Sequence, residues 1–295
     1  MKILVIGKNG QLGKSIKKVL ANSVQHNEYI FVGREGLDLT KKSIINDYFK
    51  NNSFDLIINC AAYTKVDKAE EEVLSANQIN NLAVAQLSVI AKKQTSKLIH
   101  ISTDYVFDGR TDKPYKESDS VNPINTYGRS KLAGEQAIFK EMKKNATIIR
   151  TSWLYSEFGN NFVDTMLKLG SERDELTVVD DQIGSPTYAT DLAGVIISII
   201  QSKNFFNSIQ ESQVFHYSNE GRTSWYEFAE EVFKLADVKC NLIPISSEQF
   251  MTKAKRPRNT VMNKDKISEA FNINQLSWQD SLSRCLIFYK ANNKK

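Results

Sequence analysis

Apolar, β-branched runs alternating with helical patterns constrain this chain's fold more than any other feature. Residues 2–7 read KILVIG, residues 29–33 YIFVG and residues 54–60 FDLIINC; further runs lie at 97–102 and 147–151. The early runs are apolar almost throughout, which suits strands covered on both faces of a parallel sheet rather than half-exposed antiparallel ones. Helical patterns occupy residues 11–21, 41–51, 73–93 and 126–143 between them. Strand, helix, strand in this rhythm implies right-handed crossovers and a doubly wound α/β architecture.

The rhythm breaks near Thr151, although strand-like runs recur at 176–179 and 214–217, and loops are expected at 156–161 and 249–263. We therefore expect a nucleotide-binding domain over residues 1–150, with 187–221 returning to it. Residues 151–186 and 222–295 would form a smaller α/β lobe over the carboxyl edge of the sheet, where ligands of open α/β sheets bind. No apolar stretch reaches the roughly 20 residues of a membrane span; residues 192–200 cover about half of that. The first residues run straight into a strand without a signal-peptide pattern, and the three cysteines, Cys60, Cys240 and Cys285, fit neither a disulfide framework nor a zinc pattern. A reducing, cytoplasmic location is the expectation. The net charge of +5 comes from dispersed lysines. Its densest runs, 140–144 and 290–295, read as solvated helix ends, so nucleic acid is not an expected partner.

Directly after the first run comes Gly7-Lys8-Asn9-Gly10-Gln11-Leu12-Gly13, a glycine at every third position. Such a turn lets backbone N–H groups at a helix N-terminus approach a pyrophosphate. Strand, turn and helix fall where a Rossmann-like dinucleotide site needs them. After the second run, Gly33-Arg34 lacks the acid that would hold both ribose hydroxyls of NAD. Arg34 can pair with a 2′-phosphate, which favours NADPH while leaving NADH usable. Asp38 and Leu39 could flank the adenine. Small residues in the stretch Ala61-Ala62-Tyr63-Thr64 would let a nicotinamide ribose lie close to the backbone.

The strongest chemical signal is Tyr127-Gly128-Arg129-Ser130-Lys131, preceded by Ser102-Thr103-Asp104-Tyr105 at a strand end. Tyr127 and Lys131, four apart, share one helix face. A phenol with a pKa near 10 transfers protons poorly at neutral pH unless a cation lies beside it, and Lys131 can supply that charge. Thr103 would add a hydroxyl to the carbonyl oxygen being reduced, completing a proton-delivery and oxyanion-stabilising group. The three histidines do not cluster, and His100, mid-strand, reads as a satisfied buried residue. No metal-ligand spacing is visible.

With those residues in view, the chain resembles the dTDP-4-dehydrorhamnose reductase family of extended short-chain dehydrogenases/reductases. The matching pieces include GKNGQLG, NCAAYTKVDKAE, ISTDYVFDG, NPINTYGRSKLAGE, DDQIGSPTYATDLA and FHYSNEGRTSWYEFA. The resemblance implies NAD(P)H-driven reduction of the C4 ketone of dTDP-4-dehydro-L-rhamnose for cell-surface polysaccharide synthesis, with Tyr127 as proton donor assisted by Lys131 and Thr103. It implies sugar contacts from Thr103, Asp104 and Trp153, and cofactor contacts from Gly10, Gln11, Leu12, Asp38, Leu39, Ala62, Tyr63, Thr64, Tyr127 and Lys131. Some members of the family dimerise through magnesium held partly by an acid just after the glycine turn. Here that place reads Gly13-Lys14-Ser15, so no structural magnesium is expected, and a monomer or weak homodimer is. The rival readings are a non-catalytic NADP-binding regulatory subunit and a nucleotide-sugar epimerase or dehydratase of the same fold.

Overall fold

The computed structural model describes residues 1–22, 24, 26–207 and 211–292; Lys294 and Lys295 of the basic tail lie outside them. Five strands, β1 (Lys2–Ile6), β2 (Glu28–Val32), β3 (Leu56–Asn59), β4 (Lys97–Thr103) and β5 (Ala146–Thr151), form a parallel sheet that the strand Gln213–His216 completes beside β5. The order across the sheet is β2, β1, β3, β4, β5, then Gln213–His216, every pair parallel. Strand order therefore reverses between β1 and β3, and the crevice at their carboxyl ends is where an open α/β sheet binds its ligands.

Both faces of the sheet are covered, as the unbroken apolar runs require. Ile3, Val5, Leu56, Ile58, Ile99 and Ile149 face α1 (Gln11–Ala21) and the helix Ala189–Gln201. The alternate residues Leu4, Ile6, Ile57, Leu98 and Ile148 face the helices Lys42–Lys50, Ala83–Gln94 and Thr126–Glu141. The apolar stretch after Asp191 is thus a core helix. Its 13 residues rise about 20 Å, short of a ~30 Å bilayer core, and nine of them are buried. Each fully buried Ile or Leu there contributes about 1.5–3 kcal/mol. Among the described residues, no helix is long and apolar enough to cross a membrane.

Two features depart from the sequence expectation. The helix expected over 73–93 is interrupted by a π-turn at Gln78–Leu82. Asn80 in that turn uses its carboxamide outside the helix, accepting from Tyr63 N at 2.9 Å and donating to Tyr63 O at 3.0 Å and to Ser130 Oγ at 2.9 Å. The segment after Thr151 is also more regular than its sequence suggests. Glu175–Val179 pairs in parallel with Asn241–Ile245, and helices Phe162–Glu172, Trp225–Ala236 and Trp278–Asn292 pack around a separate core of Tyr155, Val163, Phe228, Val232, Trp278 and Leu282.

Candidate active site

A cleft of about 800 Å³ opens at the carboxyl ends of β1, β3, β4 and β5. At one end lies the glycine turn. Gly7 has a φ of +95°, and a Cβ there would stand 2.9 Å from Ala61 N. A Cβ on Gly13 would meet Gly7 O at 2.3 Å. Gly10 N donates to Gly7 O at 3.0 Å and begins α1, whose N-terminus has no side-chain cap and no acid in its first turn. Uncapped N–H groups and the positive end of the helix dipole suit a dianionic diphosphate. Backbone pressed against glycine, an open helix N-terminus and the cleft's size fit a nicotinamide dinucleotide.

Gly7, Gly10, Gln11, Leu12, Arg34, Asp38, Leu39, Ala62 and Thr64 all line this cleft. Gly13 packs behind the turn. Tyr63 also turns away: its hydroxyl donates to Glu72 Oε2 at 2.9 Å. The Gln11 carboxamide is spent on the chain beyond β5, accepting from Ser156 Oγ at 2.8 Å and Asn161 Nδ2 at 3.0 Å, so only its backbone faces a ligand freely. The Thr40 hydroxyl and, more weakly, Arg34 hold the Asp38 carboxyl below its ordinary pKa. Arg34 itself is 78% exposed, its Nε 3.6 Å from Asp38 Oδ1, which leaves the guanidinium available to a phosphate. Arg34→Ala should weaken NADPH binding about tenfold, the low end for a charged hydrogen bond at an exposed site, and leave NADH within about twofold. Fluorescence titration with both nucleotides checks this; equal losses for the two would remove Arg34 from 2′-phosphate recognition.

The helix Thr126–Glu141 carries Tyr127 and Lys131. Asn125 caps it, accepting from Gly128 N at 2.7 Å, and Glu70 accepts from Thr126 N at 2.7 Å and from the Thr126 hydroxyl at 2.8 Å. Gly128 lets the helix press on the end of β4, because a Cβ there would lie 2.2 Å from Tyr105 O. That contact brings Tyr127 to Thr103. Burial pushes the Tyr127 phenol up to about 12, a hydrogen bond with the Thr103 hydroxyl lowers it, and Asp104 raises it. Asp104 is 2% exposed and accepts from Thr103 Oγ1 at 3.0 Å; burial pushes its carboxyl up to about 7 against the hydroxyls of Thr260 and Thr103.

Lys131, one turn along the same helix, is buried and lines the cleft with Tyr127. Its Nζ donates to Ile101 O at 2.6 Å and lies 3.2 Å from His100 Nε2. His100 is satisfied and buried, as expected.

Across the cleft stands an aromatic wall only half anticipated. Trp153 adopts a left-handed φ of +46°, strained for a bulky side chain, and its ring lies flat on Trp225, centroids 3.5 Å apart at 8°. Gly184 makes room, since a Cβ there would meet the Trp153 indole at 2.5 Å. Trp225 also lines the cleft and was not singled out from sequence. The signal was present: Ser224 and Glu227 form a reciprocal capping box, which puts Trp225 at the first helical position. Arg256, joined to Asp67 at 2.6 Å, closes this end.

The sequence model of the family described as "RmlD substrate binding domain" matches residues 1–290. The chain belongs to that family. A dTDP-4-dehydrorhamnose reductase of Aggregatibacter actinomycetemcomitans is 39% identical over 95% of this chain and 97% of its own length. Among solved structures, a dTDP-4-dehydrorhamnose reductase of Clostridium acetobutylicum superposes with a TM-score of 0.91 at 38% identity, covering 98% of this chain and 100% of that one. The reductase of Bacillus anthracis, solved in complex with NADP, gives 0.90 at 38% identity over 97% and 99% of the two chains. Family membership accords with the Rossmann-like sheet and the glycine turn.

Proposed function

We propose that this chain reduces the C4 ketone of dTDP-4-dehydro-L-rhamnose with NADPH, giving dTDP-L-rhamnose for cell-surface polysaccharide synthesis. One observation carries the reading: Thr103, Tyr127 and Lys131 meet on one wall of the cleft that the glycine turn closes at its other end. When bound, the reduced nicotinamide supplies the hydride. NADH would serve less well, because Arg34 gains nothing from an unphosphorylated ribose.

The chain's own groups then have separable tasks. The N-terminus of α1 and the turn hold the diphosphate of the dinucleotide, and Ala62 and Thr64 leave room beside the backbone for its ribose. Tyr127 protonates the C4 oxygen, whose developing charge the Thr103 hydroxyl also meets. Asp104 and Trp153 orient the sugar, and Trp225 backs the Trp153 ring. Truncation in Trp225→Ala should raise KM for the nucleotide sugar about tenfold while NADPH affinity and kcat stay within about twofold. Unchanged KM would leave Trp225 a packing residue only.

The presence of all three reactive residues speaks against a purely regulatory nucleotide-binding subunit. The deciding assay offers dTDP-4-dehydro-6-deoxy-L-sugar and its D-epimer separately, following NADPH and NADH consumption. Net oxidation of NADPH with the L-sugar is expected. Tightly retained cofactor with no net consumption would instead indicate an epimerase or dehydratase. A cytoplasmic location, and a monomer or weak homodimer without structural magnesium, complete the reading.

A further inference from the structure

At the end of β4 one hydroxyl is shared by more groups than its single proton can serve. The Thr103 oxygen accepts from Tyr105 N at 3.2 Å and stands 3.0 Å from Asp104 Oδ1. The Tyr127 phenol, on the helix that Gly128 lets press against this strand end, is its third neighbour. Thr103 and Asp104 are 4% and 2% exposed, and the second carboxyl oxygen, Asp104 Oδ2, is buried without a hydrogen-bond partner. No cation offsets that burial. Of those lining the cleft, Arg256 is held by Asp67, Lys131 by the Ile101 carbonyl beside His100, and Arg34 lies by Asp38.

A hydroxyl has one proton and two lone pairs. The Tyr105 N–H takes one lone pair in either state of the carboxyl. A carboxylate can only accept, so it draws the Thr103 proton to Oδ1, and the remaining lone pair receives the phenol proton. Both protons then point inward, from Tyr127 to Thr103 and from Thr103 to Asp104, and neither faces the cleft. A carboxylic acid reverses the chain. Its O–H donates from Oδ1 to the Thr103 oxygen and fills the second lone pair. The Thr103 and Tyr127 protons are then both released toward the cleft, where a ketone oxygen would meet them. Oδ2 remains an acceptor for a sugar hydroxyl in both states.

We infer that Asp104 is a positioning residue which, as a carboxylic acid donating to Thr103, turns the Thr103 and Tyr127 protons toward the ketone oxygen. This deepens the proposed reduction and rests on it for the effect on turnover, while the hydrogen bond itself rests on the geometry alone. The surroundings favour the acid. Burial pushes the carboxyl up to about 7, and the hydroxyls of Thr260 and Thr103 pull the other way. Tyr105 and Tyr127 also face it; burial raises both phenols, Tyr127 to about 12, so neither is charged. Arg256 and Asp67 act on Tyr105 with opposite signs, as a joined pair. The acid therefore predominates below pH ~7 and is lost as pH rises through that value. Lys131, lowered by burial to about 8, loses its charge one unit later.

Infrared difference spectra of the protein without nucleotide test the acid first. A protonated-carboxyl band present at pH ~6, lost by pH ~8 and missing from Asp104→Asn is the expected result. No such band at pH ~6, as an ordinary aspartate with a pKa of about 3.9 would give, overturns the inference. In turnover, wild-type kcat/KM should fall about twentyfold between pH ~6 and ~8, about tenfold through Asp104 and about twofold through Lys131. In Asp104→Asn an amide N–H donates to Thr103 at every pH. Whatever that variant loses in sugar contact it loses throughout, and the fall should shrink to about twofold. Thr103→Val, which removes the shared hydroxyl, should lower kcat about a hundredfold and show the same shallow profile. A twentyfold fall persisting in either variant would also overturn the role. Absence of any ketone reduction by the wild type would defeat the proposed function and leave the infrared result to decide the hydrogen bond.

Discussion

Tyr127→Phe is expected to lower kcat for keto-sugar reduction about a thousandfold, with NADPH affinity changed by less than about twofold. The substitution removes one hydroxyl and little else. The ring remains in edge contact with Tyr105, centroids 5.9 Å apart, and the helix keeps its Asn125 cap. The lost hydrogen bond with Thr103 is worth about 1 kcal/mol of stability, too little to unfold the chain. A missing general acid, by contrast, typically costs 10²- to 10⁴-fold in rate. Steady-state NADPH oxidation together with nucleotide titration separates the two effects. Turnover within tenfold of wild type would remove the phenol from proton delivery.

Gly13→Ala should weaken NADPH binding at least about a hundredfold, the second large effect. The added Cβ would sit 2.3 Å from Gly7 O and 2.9 Å from Gly7 C and Lys8 Cα, all backbone atoms that cannot swing aside. Helix α1 must therefore back away from the turn, taking its N-terminal N–H groups with it. Overpacking of this kind also costs about 1–3 kcal/mol of stability, visible as a lowered Tm. Gly194→Ala serves as the control. It lies in the helix Ala189–Gln201 with nothing within 4 Å of a new Cβ, so it should stabilise the helix by about 0.5–1 kcal/mol and leave the cofactor alone. A hundredfold loss in both variants, or in neither, would contradict the account of the turn.

Much of the site could be read before the fold was known, because its signals are local. Glycines at 7, 10 and 13 follow a strand whose every residue after Lys2 is buried, and only a turn that packs backbone on backbone needs that spacing. Tyr127 and Lys131 stand one helical turn apart whatever surrounds them. The π-turn at Gln78–Leu82 was not legible, because it exists to let Asn80 reach Tyr63 and Ser130, 17 and 50 residues away. Trp225 was missed for a similar reason: its partner, Trp153, is 72 positions earlier and meets it only where Gly184 leaves room.

The sequence by itself determined the parallel sheet, the nucleotide turn and the sharing of one helix face by Tyr127 and Lys131, since hydrophobic period, glycine spacing and helix pitch act over a few residues. Tertiary structure alone decided where the Lys131 nitrogen points. The sequence places Lys131 on the helix face of Tyr127, and β4 supplies the Ile101 carbonyl and the His100 ring that its nitrogen meets. The reason is physical: a side chain's charge and aim depend on the solvent it loses and the partners it meets, and those arrive from strands far away in the chain.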